Sequence, residues 1–280
     1  MSVPLLQMND GRTIPQIGLG TFGISTEAAP EVIGAAIEAG YRHLDTAQMY
    51  GNEAGVGAAV TGSDVPRDEF FVTTKLHNPH HRRDDALRAF DTSLKDLGLD
   101  YVDLFLIHWP LPTLYDGDFV STWRTLIELA DDGRARSIGV SNFEPDHLDR
   151  LVAETGVVPV VNQVELNPWF ANRQVEQANA RHQVLTEAWA PIARGKVSEA
   201  AEITAIAERI GATPAQVVLR WHLDQGRIVF PKSADPQRQQ QNLGAASITL
   251  TDADRAALDA LDQGPAGRQG PDPATFDWLG

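Results

Sequence analysis

The chain has 280 residues, of which 42% are hydrophobic, and this is enough for one large core. Its formal net charge of -15 disfavours binding to nucleic acid and to anionic membranes, so a phosphate-bearing ligand needs a local basic patch. The absence of cysteine excludes disulfides, thiolate nucleophiles and cysteine-based zinc sites.

The amino-terminal segment predicts a cytoplasmic protein that begins with a β-hairpin. Residues 1–10 lack both a charged region and a long apolar run, so we expect no signal peptide. No run in the sequence approaches the ~20 apolar residues of a membrane span. Leu5-Leu6 and Thr13-Ile14 flank Asn9-Asp10-Gly11, a turn signal that predicts a small hairpin.

After the hairpin, strand and helix patterns alternate along the chain. Short apolar runs begin near residues 17, 42, 70, 102, 136, 160, 184 and 227. Helical patterns fill the gaps; two of them, 198–210 and 214–224, separate the last two runs, and 236–244 and 252–261 follow. Eight β–α units predict an α/β fold, a (β/α)8 TIM barrel with an N-terminal hairpin and two extra helices, as a single domain over 1–280. A doubly wound parallel sheet is the alternative.

The first apolar run contains a glycine pattern with two interpretations. Residues 18–23 match G-x-G-x-x-G, and Asp45 lies where a ribose-binding acid of a dinucleotide fold would be sought. That fingerprint needs a full buried strand before its first glycine, and Pro15-Gln16 leave only Ile17 there. We therefore expect the glycines to belong to a first barrel strand and a loop where backbone approaches a ligand closely.

Four polar residues lie at the ends of the second to fourth predicted strands. Asp45, Lys75 and His108 each close an apolar run, and Tyr50 follows Asp45 by five residues. In a barrel, the carboxyl ends of the strands carry the chemistry. Taken singly, each residue is better explained by a structural role: Asp45 as an N-cap, Lys75 as a solvated strand end, His108 as a buried histidine and Tyr50 as a rim aromatic. Their joint placement favours a site.

A phenol, an amine, a carboxylate and an imidazole at one rim can form a proton donor. A free tyrosine, with a pKa of about 10, is a poor acid at neutral pH. An adjacent Lys75 ammonium would lower the pKa of Tyr50, and Asp45 would hold Lys75 charged. His108 could hydrogen-bond the substrate oxygen or the phenol.

The same region resembles the aldo-keto reductases, and among them the bacterial 2,5-diketo-D-gluconate reductase-like members. The matching segments are Tyr41-Arg42-His43-Leu44-Asp45-Thr46-Ala47, Tyr50-Gly51-Asn52-Glu53, Asp103-Leu104-Phe105-Leu106-Ile107-His108-Trp109-Pro110, Gly139-Val140-Ser141-Asn142-Phe143, Asn162-Gln163-Val164-Glu165 and Phe230-Pro231-Lys232-Ser233. The resemblance implies reduction of an aldehyde or ketone by hydride transfer from NAD(P)H. It also implies the catalytic tetrad Asp45, Tyr50, Lys75 and His108.

The resemblance further implies a set of cofactor contacts. Ser141, Asn142 and Gln163 would hold the nicotinamide carboxamide, which needs both donors and acceptors. The remaining implied contacts are Trp189 and Pro191 near the ring and pyrophosphate, Lys232, Ser233 and Arg238 at the adenosine 2′-phosphate, and Gln241 and Asn242 near the adenine. The basic residues favour NADP(H) over NAD(H). Asp235 and Gln241 depart from the family pattern and weaken that preference.

The substrate pocket departs further from the pattern. His77 stands where the family commonly has tryptophan, and it would make the pocket more polar, with Phe22 and Trp109 as apolar walls beside His108. His77, His80 and His81 are better explained as loop histidines than as a metal site, because no carboxylate or cysteine completes the set. In the loop after the fourth strand, Asp116 and Asp118 would disfavour anionic substrates, which puts a diketo acid in doubt.

The last residues, 263–280, are rich in glycine and proline and end in Phe276, Trp278 and Leu279. They are either a frayed terminus or a loop that covers the pocket. We expect a monomer that contains no metal ion and whose substrate is a small carbonyl compound. Two rival functions are a non-catalytic binding subunit and a sugar hydrolase on the same barrel, which would need two facing carboxylates.

Overall fold

A hairpin closes one end of the molecule. The computed structural model describes residues 3–280; residues 1 and 2, part of the segment in which no signal peptide is predicted, lie outside the described residues. Strand β1 (Leu5–Gln7) pairs antiparallel with β2 (Thr13–Pro15), as predicted. Met8 and Ile14 of the hairpin are buried among the apolar side chains inside the sheet, so the hairpin seals its amino-terminal end.

Eight parallel strands then form a closed barrel, which confirms the predicted fold. They are β3 (Leu19–Gly20), β4 (His43–Asp45), β5 (Phe71–Leu76), β6 (Val102–Ile107), β7 (Ala135–Ser141), β8 (Val161–Glu165), β9 (Leu185–Trp189) and β10 (Ile228–Val229). Their spatial order follows the chain from β3 to β10. A parallel bridge between Ile17 and Val229 joins the two ends of this order, so no doubly wound sheet with free edges is present in residues 3–280.

Ten α-helices surround the barrel over residues 3–280. They are α1 (Ala29–Ala39), α2 (Glu53–Thr61), α3 (Arg83–Leu97), α4 (Phe119–Asp131), α5 (Pro145–Thr155), α6 (Arg173–Arg181), α7 (Ala201–Ile210), α8 (Pro214–Asp224), α9 (Pro236–Gly244) and α10 (Asp252–Asp259). Residues 3–280 thus contain two more α-helices than barrel strands, as predicted. The helix predicted from 198 begins three residues later, because residues 193–199 form 3-10 turns. Within residues 3–280 no helix is both long and apolar enough to cross a membrane.

The glycine pattern of the first strand is explained by the closure of the barrel. A Cβ atom on Gly20 would lie 2.8 Å from the carbonyl oxygen of Phe230, and one on Gly18 would lie 2.8 Å from the Phe230 ring. The amide of Gly18 donates to the carbonyl of Val229 at 2.9 Å. The glycines therefore allow the first and last strands to approach each other, and they are no dinucleotide fingerprint.

The core has an outer and an inner part. The outer cluster fills the space between strands and helices. The inner cluster, which includes Phe71, Leu104 and Ile228, fills the amino-terminal half of the barrel interior, next to the hairpin. All six residues of β5 and all six of β6 are buried, as expected of parallel strands covered on both faces.

Two helical glycines give a matched test of this packing. A Cβ atom on Gly57 of α2 would lie far inside van der Waals contact with the Leu97 carbonyl of α3, whereas one on Gly34 of α1 meets open space. We expect Gly57→Ala to lower the free energy of unfolding by about 3 kcal/mol through overpacking. Gly34→Ala should raise it by up to about 1 kcal/mol, because alanine is the better helix former. Urea unfolding measures both; equal stability of the two variants would contradict the packing of α2 against α3.

Candidate active site

The register of the barrel brings three of the predicted residues together. Asp45 ends β4, Lys75 lies near the end of β5, and His108 follows β6. Asp45 pairs with Thr73, and Lys75 pairs with Leu106. Lys75 therefore lies two residues after the partner of Asp45, and His108 lies two residues after the partner of Lys75. Because side chains alternate along a strand, an offset of two residues keeps all three side chains facing inward.

Lys75 is the centre of this group. Its side chain is fully buried, and its ammonium donates to Asp45 Oδ1 at 2.7 Å and to the Thr46 carbonyl at 2.9 Å. A third contact, at 3.4 Å, reaches the phenolic oxygen of Tyr50, which lies in a short 3-10 helix (Gln48–Tyr50). The three protons of the ammonium thus have three acceptors. The alternative of Lys75 as a solvated strand end is wrong.

The charges of the group follow from burial and from this pairing. Burial lowers the pKa of Lys75, but Asp45 and Tyr50 outweigh it and raise the pKa above its ordinary value. Burial, aided by Lys75, holds the pKa of His108 well below its ordinary value. The ammonium is therefore charged and the imidazole neutral at pH 7.

Tyr50 differs from the sequence-based expectation in one respect. Burial raises the pKa of the phenol above its ordinary value, and Lys75 lowers it without reversing the net direction. The phenol is therefore protonated at neutral pH, the state in which it can donate a proton. The ring of Tyr50 lies 5.9 Å from that of His108 and 5.1 Å from that of Phe22, measured between centroids.

The hydrogen-bonded group extends across the barrel to a residue that the sequence did not indicate. Gln163 Nε2 donates to Asp45 Oδ2 and to Glu187 Oε2, both at 2.9 Å. Glu187, on β9, is fully buried, and burial raises its pKa to about 8, with Asp45 acting in the same direction. The alternation of side chains along a strand is the sequence signal that could have indicated it. Glu187 lies two residues before Trp189 on β9, so both side chains face the barrel interior.

Three residues predicted for a carboxamide lie together at the rim. Asn142 adopts a left-handed conformation with φ of 63° directly after β7. Its Nδ2 donates to the His108 carbonyl at 2.9 Å, and its Oδ1 accepts from Trp189 Nε1 at 2.8 Å. Ser141 Oγ donates to the Gln163 carbonyl at 2.8 Å. The left-handed Asn142 is thus held by residues at the ends of β6 and β9, and the preceding Ser141 is held by a residue of β8.

The loop after β9 continues this rim. Pro191 is buried, and its carbonyl lies 3.1 Å from His222 Nε2. Ala190, Ala193 and Arg194 all have positive φ values, between 46° and 54°. Strained backbone of this kind is concentrated at ligand sites.

The residues predicted for a 2′-phosphate surround the start of α9. Lys232 and Arg238 are exposed, and neither forms an ion pair within residues 3–280. Asp235 is the N-cap of the helix, accepting from the amides of Gln237 at 2.8 Å and Arg238 at 3.2 Å. Its carboxylate has a structural role, but it also occupies amides that would otherwise face an anion. Ser233 and Asn242 are buried nearby, and Gln241 is half-buried.

The residues predicted for substrate lie beside the tail. Trp109 is buried, and its ring centroid is 4.1 Å from that of Phe276. His77 is half-buried, with its centroid 6.0 Å from that of Trp278. Phe22 is 63% exposed. Aromatic residues of segment 263–280 therefore contact two of the three predicted wall residues.

The tail is also fastened at its base. The Glu165 carboxylate, at the end of β8, accepts from the amides of Gln269 at 2.7 Å and Gly270 at 2.8 Å. Arg268 forms an ion pair of 3.3 Å with Glu144. Further along, Asn78 Nδ2 donates to the Trp278 carbonyl at 2.8 Å. The segment is ordered by these contacts, which argues against the frayed-terminus alternative.

One of the loop histidines, His81, and one of the loop acids, Asp118, have structural partners. His81 is buried, stacks on Tyr115 with an interplanar angle of 7°, and hydrogen-bonds Thr122. Asp118 caps α4 by accepting from the Ser121 amide at 3.0 Å. Among residues 3–280 no cluster of three or more histidine or carboxylate side chains is arranged to bind a metal ion.

The buried pair of Lys75 and Asp45 predicts strong energetic coupling. Lys75→Met leaves the Asp45 charge buried without its partner, so we expect a loss of about 3–5 kcal/mol of unfolding free energy. Adding Asp45→Asn should restore part of this loss. A double-mutant cycle by urea unfolding measures the coupling. The half-exposed pair of Arg150 and Glu154 is the control, with about 0.5 kcal/mol expected; similar coupling in both pairs would contradict the prediction.

Comparison with known proteins agrees with this geometry. The model of the Aldo/keto reductase family matches residues 16–263. An aldo-keto reductase of Mycolicibacterium smegmatis is 46% identical over 277 residues, 99% of each chain. Methylglyoxal reductase DkgA of Yersinia pestis is 46% identical over 275 residues, 98% of this chain and 97% of the relative. The crystal structure of a Gox0644 mutant in complex with NADPH is 43% identical, with a TM-score of 0.94, covering 99% of this chain and 100% of that one.

Proposed function

The chain belongs to the aldo/keto reductase family and is an oxidoreductase, and we propose that it reduces small aldehydes and ketones with NADPH, Tyr50 being the general acid. The family assignment sets aside the sugar hydrolase. The observation that carries the proposal is the buried chain from Asp45 through Lys75 to Tyr50. It is the part of the rim that ties a protonated phenol to a fixed positive charge.

The residues at the rim fit a nicotinamide cofactor. Both amide hydrogens of Gln163 bond to carboxyl groups, one to Asp45 and one to Glu187. Its Oε1 is left as an acceptor without a donor among residues 3–280. A carboxamide N–H suits that position. Some 2′-phosphate recognition is expected at Lys232 and Arg238, the exposed cations at α9. Bound NADPH supplies the hydride for the carbonyl carbon.

Each member of the tetrad then has one task. Tyr50 donates its proton to the carbonyl oxygen, and Lys75 stabilises the phenolate that remains. Asp45 keeps Lys75 charged and in place. His108, neutral and with Nδ1 lacking a partner among residues 3–280, orients the carbonyl oxygen by a hydrogen bond from its ring.

We propose a small dicarbonyl as the substrate, of the class to which methylglyoxal belongs. The relative from Yersinia pestis carries the name methylglyoxal reductase. The proposed pocket combines a half-buried His77 with the aromatic Phe22 and Trp109, a mixture that suits a compact polar molecule. In this proposal the whole chain is one domain, and segment 263–280 covers the pocket; keto sugars and keto acids are the other members of the class to be tested.

The acid role of Tyr50 predicts a selective loss of turnover. Tyr50→Phe should lower kcat for methylglyoxal reduction by at least about 100-fold, because the proton donor is removed. The Kd of NADPH, from fluorescence titration, should stay within about twofold. Tyr101→Phe is the matched control, since Tyr101 stacks on Arg136 at the start of β6. Native turnover in Tyr50→Phe would refute the assignment.

The cations at α9 predict a preference that depends on the 2′-phosphate. Arg238→Ala should weaken NADPH binding by about tenfold, through loss of a charged hydrogen bond, and leave NADH binding nearly unchanged. Asp235→Asn keeps an N-cap acceptor but removes a negative charge, so it should tighten NADPH binding. Fluorescence titrations with both nucleotides measure this. Equal weakening for NADH in Arg238→Ala would contradict the assignment.

A further inference from the structure

The Gln163 amide links two carboxyl groups inside the barrel, those of Asp45 and Glu187. Strands β4 and β8 are four positions apart in the barrel order, so the bond from Gln163 to Asp45 must cross the interior. Glu187 lies on the same crossing, bonded to the other hydrogen of that amide. Its second oxygen, Oε1, is buried and has no hydrogen-bond partner within residues 3–280.

No cation forms a hydrogen bond or an ion pair with Glu187 among residues 3–280; Lys75 lowers its pKa from a distance, by less than burial raises it. Lys75 contacts Asp45 directly, at 2.7 Å, and makes no hydrogen bond to Glu187. Burial lowers the pKa of His43 to about 4, so that imidazole is neutral at pH 7, as is His108. An ionised Glu187 would therefore be a buried, unpaired charge with a single hydrogen bond, which is far more costly than a neutral carboxyl group.

Glu187 also determines which way the Gln163 amide points. With two carboxyl acceptors, both hydrogens of Nε2 are fixed, and Oε1 is held on the opposite side. Without Glu187, one N–H of the Gln163 amide would be buried without an acceptor. Rotation of the amide towards another acceptor would then lower the free energy. The carbonyl oxygen of Gln163 would then no longer be held in place for a ligand.

We propose that Glu187 is a positioning residue, which fixes the Gln163 amide for the nicotinamide carboxamide and does so as a neutral carboxylic acid. The proposal rests on the proposed role of Gln163 in cofactor binding. Glu187 itself contacts neither cofactor nor substrate in this scheme. Its effect passes through Gln163 alone, so it should appear in cofactor affinity and not in the affinity for the carbonyl compound.

Substitutions that keep or remove the acceptor test the positioning role. Glu187→Met fills the volume without an acceptor, and we expect the Kd of NADPH to rise about tenfold. Glu187→Gln retains an acceptor oxygen, and its Kd should stay within about twofold of wild type. The KM for the carbonyl compound should be unchanged in both. Glu53→Gln is the matched control, because Glu53 is a buried carboxyl group bonded to Thr74 and Ser93, outside this crossing.

The pH dependence of stability tests the neutral state without any cofactor. Burial raises the folded pKa of Glu187 from 4.5 to about 8, so the unfolded chain ionises first as the pH rises. Wild-type stability should therefore fall, relative to Glu187→Gln, from pH 4.5 to about 8. The difference in Tm should grow over that range and then level off. The titratable groups that share the interior are Asp45, Lys75, His43, Tyr50, His108 and Glu165. Both proteins contain all of them, so the difference reports the effect of residue 187, including its interactions with Asp45 and Lys75.

The outcomes separate the two proposals. A wild-type protein that binds no NADPH overturns the proposed function and the positioning role with it, while the Tm curves still report the charge of Glu187. Normal NADPH affinity in Glu187→Met overturns the positioning role alone. So does a Glu187→Gln protein that is folded and binds as weakly as Glu187→Met. Parallel Tm curves for wild type and Glu187→Gln overturn the neutral state.

Discussion

The site depends on one buried ammonium. Lys75 is enclosed by the barrel, and it is tolerable there only because Asp45, the Thr46 carbonyl and Tyr50 supply an acceptor for each of its protons. The same enclosure raises the proton affinity of the phenol and removes the charge of His108. One electrostatic requirement thus fixes the protonation states of the entire tetrad, and any ligand must meet a rim that is already organised.

The barrel serves this requirement by dividing its interior. The hairpin and the apolar residues of the inner cluster exclude water from the amino-terminal end of the barrel, and Asp45, Lys75 and His108 lie at the opposite, carboxyl-terminal end. The stagger of two residues from strand to strand then sets Asp45, Lys75 and His108 on a rising path along three neighbours. The barrel fold positions these side chains, and their burial above the apolar inner cluster shifts the pKa values of Tyr50 and His108.

The sequence predicted the elements well because they are local. Parallel strands buried on both faces and amphipathic helices leave characteristic apolar patterns in the sequence. The predicted bounds of most strands and helices therefore lie within two residues of the observed ones. The glycines at 18 and 20 were assigned to the first strand, but their closeness to Phe230 depends on a neighbour more than 200 residues away. Glu187 was missed for the same reason: a single acid in an apolar run has no local signature, and its meaning comes from Gln163 and Asp45. The net pKa direction of Tyr50 likewise depends on burial that only the folded chain reveals.

The fastening of the tail at Glu165 separates two regions of the chain. The carboxylate holds the amides of residues 269 and 270, so the ten residues that follow start from an anchored base. Aromatic residues in that stretch contact His77 and Trp109, whereas the four tetrad residues belong to strands β4 to β6 and the segments that directly follow them. In the proposed mechanism, changes beyond the anchor would therefore remodel the outer wall of the pocket and alter the range of accepted carbonyls, while proton transfer from Tyr50 stayed the same.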